Sequence, residues 1–241
     1  MGQRIYVETL IRAPLEQLWE HTQDPAVHAQ WDLRFGQIVP TGHDAAGQKH
    51  FRYATTVLPG VTVAGTGVHA GQRRKPDGSA TSALRFGSEQ RLCLIKSGSG
   101  YWRYIPQHEE AVSFLTGYDY TPRWGWAGEL IDSMIFRPTI GWATAFSFDR
   151  LRLWLECGIT PTRSRNQAVA EAAARALVVG GVVLLINWKV GLAAGAAAVL
   201  VPPLPSTAAA RRCRRRPTGQ EPRVDVSALG KDGKGAGEER K

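Results

Sequence analysis

Between Phe35 and Thr121 one β-rich segment follows another, and the breaks between them are short. The segments lie at Phe35–Pro40, Lys49–Leu58, Val61–Gln72, Ala80–Ser88, Leu92–Ile105 and Glu110–Thr121. The breaks read TGHDAAGQ, LPG, KPDGS, SEQR and PQHEE, and they are rich in residues that reverse a chain. Strands joined so tightly pair with their sequence neighbours as an antiparallel meander.

The segments on either side read differently. RIYVETLIRAP alternates and is β-rich, which predicts a strand over Gln3–Ile11. Pro14 suits the first turn of a helix, and Leu15, Leu18 and Trp19 give that helix an apolar face. Asp24 before Pro25 is an N-cap followed by proline, so a second short helix runs to about Trp31. After PRWGWAG the apolar period lengthens. Leu130, Met134, Ile135, Ile140, Ala143, Phe146, Phe148, Leu151, Leu153 and Leu155 fit one long helix ending near Cys157 and bent at Pro138. Strand, two short helices, six strands and one long helix make an α+β domain in which the helix covers one face of a curved sheet.

This order resembles the START-like, or SRPBCC (helix-grip), superfamily, which includes polyketide cyclase/dehydrase-like and lipid-transport proteins. The opening strand running into IRAPLEQLWEHTQDPAVHAQWD carries the resemblance, with the closing GWATAFSFDRLRLWLECG from Gly141 to Gly158. It covers Gln3–Cys157. It implies a seven-stranded antiparallel sheet gripping the C-terminal helix, with an apolar cavity between them. It also implies binding or transport of a hydrophobic small molecule such as a lipid, isoprenoid or polyketide-like compound. Two alternatives stand beside that expectation: a cyclase/dehydratase-type enzyme using polar cavity residues, and a membrane-tethered protein-interaction module.

The stretch from Arg12 to Asp32 holds His21, Asp24, His28 and Asp32. A metal-binding helix usually offers ligands at i and i+4, but His21 and His28 are separated by Pro25, and Asp24 is used as a cap. The expectation is a packed corner with Trp19 and Trp31 against the sheet, Asp32 tying the helix end to the next strand, and no metal. By the resemblance, this helix pair closes the mouth of the cavity.

Alternate strand residues share a face, so a cavity takes every second one. The candidates are Trp31, Phe35, Tyr53, Trp102, Phe114, Tyr118, Trp142, Phe146 and Arg103, each of which has plain core packing as its competing role. Arg34, Arg52, Arg85, Arg103, Tyr118 and His69 are the polar groups that could orient a ligand or move a proton there. None stands in a catalytic constellation. No GxSxG occurs, GTGVHAG has the wrong spacing for a dinucleotide loop, and KSGSG reads as a bulge in a strand. The reading is therefore of a binding domain more than an enzyme, with no cofactor.

Charge is unevenly spread. Up to Thr160 there are 16 Lys/Arg against 15 Asp/Glu, and from Pro161 onward 14 against 6. A neutral domain with a basic extension points to a membrane surface before nucleic acid, because no aromatic residues interleave the basic run. ALVVGGVVLLINWKVGLAAGAAAVLV, Ala176–Val201, is 26 residues. As one helix it would be about 39 Å long against a bilayer core of about 30 Å. Asn187, Trp188 and Lys189 interrupt it, and a central lysine costs roughly 2.5–3.5 kcal/mol. RRCRRR, Arg211–Arg216, should stay cytoplasmic. A hairpin turning at Asn187–Lys189 keeps both ends on that side and is favoured over a single span or a soluble helix pair. The residues expected at the membrane are Leu177, Val183, Leu185, Trp188, Lys189 and Leu200. Cys93, Cys157 and Cys213 form no CxxC pair, which fits a reducing compartment. The N-terminus has no signal-type apolar run.

The expected organisation is a START-like domain over 1–158, an apolar membrane-associated segment over 159–205 and a disordered basic tail over 206–241. The expected partners are an apolar small molecule and membrane lipid. The expected location is the cytoplasmic side of the cell membrane, with the cytoplasm as the alternative. Oligomeric state is left open.

Overall fold

The computed structural model describes residues 4–58, 60–107 and 110–217. Gln3 of the expected first strand and residues 218–241 of the expected tail lie outside these described residues, as do parts of the breaks LPG and PQHEE.

Seven strands form one antiparallel sheet: β1 (Ile5–Arg12), β2 (Gln37–His43), β3 (Lys49–Leu58), β4 (Val61–Arg74), β5 (Ala80–Gly87), β6 (Ile95–Pro106) and β7 (Ala111–Pro122). Their order is β1-β7-β6-β5-β4-β3-β2, so the meander runs from one edge and its last strand pairs with the first. The helices α1 (Leu15–Gln23) and α2 (Pro25–Trp31) connect β1 to the far edge. Asp24 accepts from the backbone N–H groups of Ala26 and Val27, the N-cap expected from its place before Pro25.

The long helix is interrupted. Helix α3 (Gly125–Ile131) passes through a π-helical turn, Asp132–Phe136, into α4 (Arg137–Cys157). Pro138 supplies the reason. It has no N–H to give and its ring crowds the carbonyl four residues back, so the turn ahead of it widens. The wide turn is pinned to the sheet. Buried Asp132 accepts from Tyr120 Oη at 2.6 Å and from Arg137 Nε at 2.8 Å, and Arg137 also reaches Asp119 at 2.9 Å.

Helix α4 lies across the sheet. Phe148 stacks on Phe114 with ring centroids 4.5 Å apart, and Val7, Ile11, Leu18, Trp31, Tyr104 and Leu151 complete the core around them. Each such apolar side chain, fully buried, contributes roughly 1.5–3 kcal/mol. Buried Arg150 locks α2 to α4, donating to the carbonyls of Trp31 at 2.8 Å and Gln30 at 2.9 Å. Burial pushes its guanidinium down to about 10. Gly158 ends α4 in the left-handed region at φ 64°.

Helix α5 (Pro161–Leu185) docks its first turn on the domain and then leaves it. Helix α6 (Trp188–Leu200) folds back beside α5, with Gly191 against Val183 and Asn187 capping its first turn. The chain reverses at Ile186–Asn187. At the open end of this hairpin Arg175 donates to the carbonyls of Ala198, Val201 and Pro202, and Arg211 to that of Val201.

The first part of the expected disordered tail is ordered. Thr207, Ala208, Ala209, Ala210 and Cys213 are buried. Arg214 exchanges two backbone hydrogen bonds with Glu8 at 2.9 Å, extending the sheet beyond β1. The driving residue is Asp149 on α4. Its fully buried carboxylate accepts from Arg152 at 2.7 Å, from Arg212 at 2.9 Å and from the N–H of Ala209 at 2.8 Å. Small side chains let the segment lie flat over β1 and α4, and the bridge covers a sheet edge that would otherwise be open.

Candidate functional site: a cavity between the sheet and the long helix

A cavity of about 620 Å³ lies between the inner face of the sheet and the first half of α4. That is within the usual size of small-molecule sites, roughly 300–1,000 Å³. Leu33, Phe35, Ile38, Phe51, Tyr53, Leu84 and Phe86 line one side, and Phe136, Ile140 and Ala143 the other. Thr22, Gln23, Pro25 and His28 close it at the helix pair. At the opposite end Leu92, Trp124 and Ile131 line the cavity and are also exposed, so it opens to the surface there.

Cross-strand register keeps the space open. Phe51 pairs with Gly67, and Tyr53 with Gly65. The outer end of each ring lies over its glycine, and a Cβ at either glycine would collide with it. With no side chain beneath them, the aromatics hug the sheet and do not fill the interior.

The polar groups concentrate near the start of β2. Asp32 follows α2 and is fully buried. It accepts from Arg34 through two nitrogens, at 2.9 and 2.6 Å, and from His28 Nε2 at 3.1 Å. Burial alone would raise the Asp32 carboxyl, but the Arg34 charge and the hydrogen bonds from His28 and Arg34 hold it well below the usual carboxylate range. Burial lowers His28, against the opposing pull of Asp32, so its ring is neutral near pH 7. A neutral ring facing a carboxylate carries its proton on that side, leaving Nδ1 as an acceptor. Arg34 also lies 5.2 Å from the Tyr118 ring centroid. The Thr144 hydroxyl donates to the Ile140 carbonyl at 2.8 Å, so Tyr118 Oη, 2.7 Å away, donates to Thr144. Burial raises the Tyr118 phenol, with Arg34 opposing. His69 lines the same cavity, and burial and nearby Lys49 lower it. Its buried Nδ1 finds no partner among the described residues.

The structure sorts the expected site residues. Phe35, Tyr53, Trp102 and Tyr118 line the cavity, as do the polar candidates Arg34, Tyr118 and His69. Five others are corrected. Trp31 and Phe114 are fully buried in the core against Phe148. Trp142 and Phe146 stack on each other at 5.3 Å and neither lines the cavity; Trp142 is exposed and Phe146 packs in the main core. Arg103 alternates with Trp102 and faces outward with Arg52 and Arg85, none of which lines the cavity. The sequence reading gives Asp32 a tie to the next strand and His28 no partner; the structure pairs the two in the cavity wall. Their i, i+4 spacing across the last turn and C-cap of α2 is the available signal. His21 instead contacts the Gln17 carbonyl at 2.8 Å and packs on Trp154.

The order of elements, the wrapped seven-stranded sheet and the cavity against the long helix decide the fold. It is a helix grip, a seven-stranded antiparallel sheet closed on one long helix, as the sequence resemblance implied. No family model matches the chain. The uncharacterized membrane protein YndG of Bacillus subtilis (strain 168) is 44% identical over 165 residues, which cover 68% of this chain and 62% of that protein. The chain therefore spans less than two thirds of that relative's length. Among solved structures, hypothetical protein jhp0584 from Helicobacter pylori is 12% identical, with 64% of this chain and 88% of that chain covered and a TM-score of 0.49. The Zhui aromatase/cyclase from Streptomyces sp. R1128 is 15% identical, covering 65% and 97%, with a TM-score of 0.47. A START superfamily protein from Mycobacterium smegmatis is 10% identical, covering 61% and 96%, with a TM-score of 0.43.

Proposed function

We propose that this chain binds a hydrophobic small molecule, a lipid, isoprenoid or polyketide-like compound, in the sheet–helix cavity, and that α5 and α6 hold it at the cytoplasmic face of a membrane. The cavity carries the first half. It is largely apolar, open at one end, and kept clear by aromatics that lie on glycines. A space of this size and lining is favourable for an apolar ligand because the wall gains back contacts that an unfilled void forfeits.

The hairpin supports the second half. No residue in the apolar stretch of α5 is buried in the rest of the protein. Leu177, Leu185, Trp188 and Leu200 are exposed, Val183 packs on Gly191, and Lys189 lies 5.9 Å from the Trp188 ring. Helix α6 has 13 residues, about 20 Å of rise. That passes the middle of a core about 30 Å thick without crossing it. Arg175, Arg211 and Arg212 gather at the hairpin's open end, where anionic headgroups would favour them. The related YndG is itself named a membrane protein.

Flotation of the full chain with vesicles of phosphatidylcholine and phosphatidylglycerol, followed by organic extraction of protein purified from cells, tests both halves. Recovery of the protein with the vesicles, carrying an extracted apolar compound, is expected. Protein that stays in the dense fractions contradicts the membrane half, and an empty extract contradicts the ligand half.

A further inference from the structure

His69 is a polar side chain on the cavity wall that the fold leaves without a hydrogen bond. It stands on the inner face of β4 beside Phe51, with ring centroids 5.3 Å apart, and pairs with Leu84 of β5. Three residues on, Gln72 donates to Gln23 of α1 at 2.9 Å, so this part of β4 belongs to the end that the helix pair closes. Its Nδ1 is buried and has no partner among the described residues. Its Nε2 makes no hydrogen bond to the described residues either but, unlike Nδ1, is not sealed off. Burial and the charge of Lys49 hold the ring below the usual histidine range, so it is neutral near pH 7 and carries one proton. A buried N–H without a partner is the costlier orphan, so that proton belongs on Nε2. His69 therefore offers the cavity one N–H donor.

Charge and pairing decide what accepts from it. Arg34 is the one Lys or Arg among the described lining residues, and Asp32 balances it. Lys49 is exposed and does not line the cavity. A carboxylate would lose its hydration there beside no unpaired cation. A hydroxyl would accept from His69 but bring a proton of its own, and the Gln23 amide oxygen on that wall already accepts from Gln72 and, at 3.2 Å, from Ser82. A carbonyl oxygen pairs the donor and adds nothing that needs a partner. Resting on the ligand-binding reading above, we infer that the cavity selects an apolar compound with an uncharged carbonyl, a ketone or ester, near its inner end, and that the carbonyl oxygen accepts from His69. A hydrocarbon of the same shape fills the space and leaves His69 unpaired.

The full chain in lipid nanodiscs is incubated with equal amounts of 2-tridecanone, 2-tridecanol, tridecanoate and 2-methyl-1-tridecene, a hydrocarbon with CH₂ in place of the ketone oxygen. Native mass spectrometry reads which is retained. The ketone should be retained about tenfold over the hydrocarbon, the order expected when a buried hydrogen-bonding group is left unpaired. His69→Leu should bring that ratio close to one while the hydrocarbon is still held, and His69→Gln, which keeps an N–H donor, should restore part of it. Equal retention of ketone and hydrocarbon, preference for the alcohol or the carboxylate, or an unchanged ratio in folded His69→Leu overturns the inference and leaves the ligand-binding reading intact. Retention of none of the four overturns both. If the variants do not fold, the wild-type chain decides: the ¹⁵N resonance of His69 Nε2 should move on adding the ketone and not on adding the hydrocarbon, and a resonance that ignores the ketone overturns the inference.

Discussion

Replacing Asp149 with alanine should unfold the outer cover of the domain before the rest. Three donors converge on that carboxylate: Arg152, Arg212 and the N–H of Ala209. The two arginines keep other partners, Glu156 for Arg152 and the carbonyls of Pro203 and Leu204 for Arg212, and both can turn partly to water. Their loss is therefore smaller than that of a fully stranded buried ion. The Ala209 N–H is covered and has no second acceptor among the described residues, which costs about 1–3 kcal/mol by itself. Together the loss for Asp149→Ala should be about 3 kcal/mol. Urea denaturation of the full chain, followed by tryptophan fluorescence, measures it. Arg212→Ala should cost about 1–2 kcal/mol, and the double variant should cost less than the sum because one bond is shared. A loss below about 1 kcal/mol for Asp149→Ala, or strict additivity with Arg212→Ala, would refute the docking of residues 207–214 on α4.

Ala143→Trp puts an indole into the cavity from α4 and should abolish uptake of apolar ligands with little change in urea midpoint. Persistent uptake would mean that ligands bind elsewhere. The pH response should fall on the acid side. His28 and His69 are lowered in the folded state, so the stability they permit is complete above about pH 6.5 and is lost as pH falls through their folded values. Asp32, also lowered, adds a second loss below about pH 3.9. A urea midpoint that rises between pH 7 and 5 would contradict this. Leu184→Glu and Leu185→Glu each place a charge on the uncovered face of the hairpin and should together end flotation with vesicles. Unchanged flotation would transfer the membrane role to another surface.

Local chemistry made the order of elements legible. Turn residues mark each strand boundary, and Asp24–Pro25 marks the start of α2, because caps and turns are decided by a few adjacent residues. The cavity was legible only in part. Which face a strand residue takes depends on register, and the ladder shifts between Pro40 and Gly42 and again between His69 and Gly71. Phe114 and Trp102 share the inner face, yet only Trp102 reaches the cavity, because Phe148 of α4 sits on Phe114. The pairing of Phe51 with Gly67 and of Tyr53 with Gly65 joins residues distant in sequence and has no local signature. The segment 207–214 reads as solvated from its arginines. Its docking follows from a buried carboxylate some sixty residues earlier, which no composition argument weighs.

Native mass spectrometry of the full chain, released from cell membranes in nanodiscs without added ligand, tests ligand binding most directly. An apolar compound bound at near one-to-one stoichiometry, and lost in Ala143→Trp, is the expected result. A folded wild-type chain that carries nothing and takes up no apolar compound would contradict it, and would leave the cavity as unfilled space.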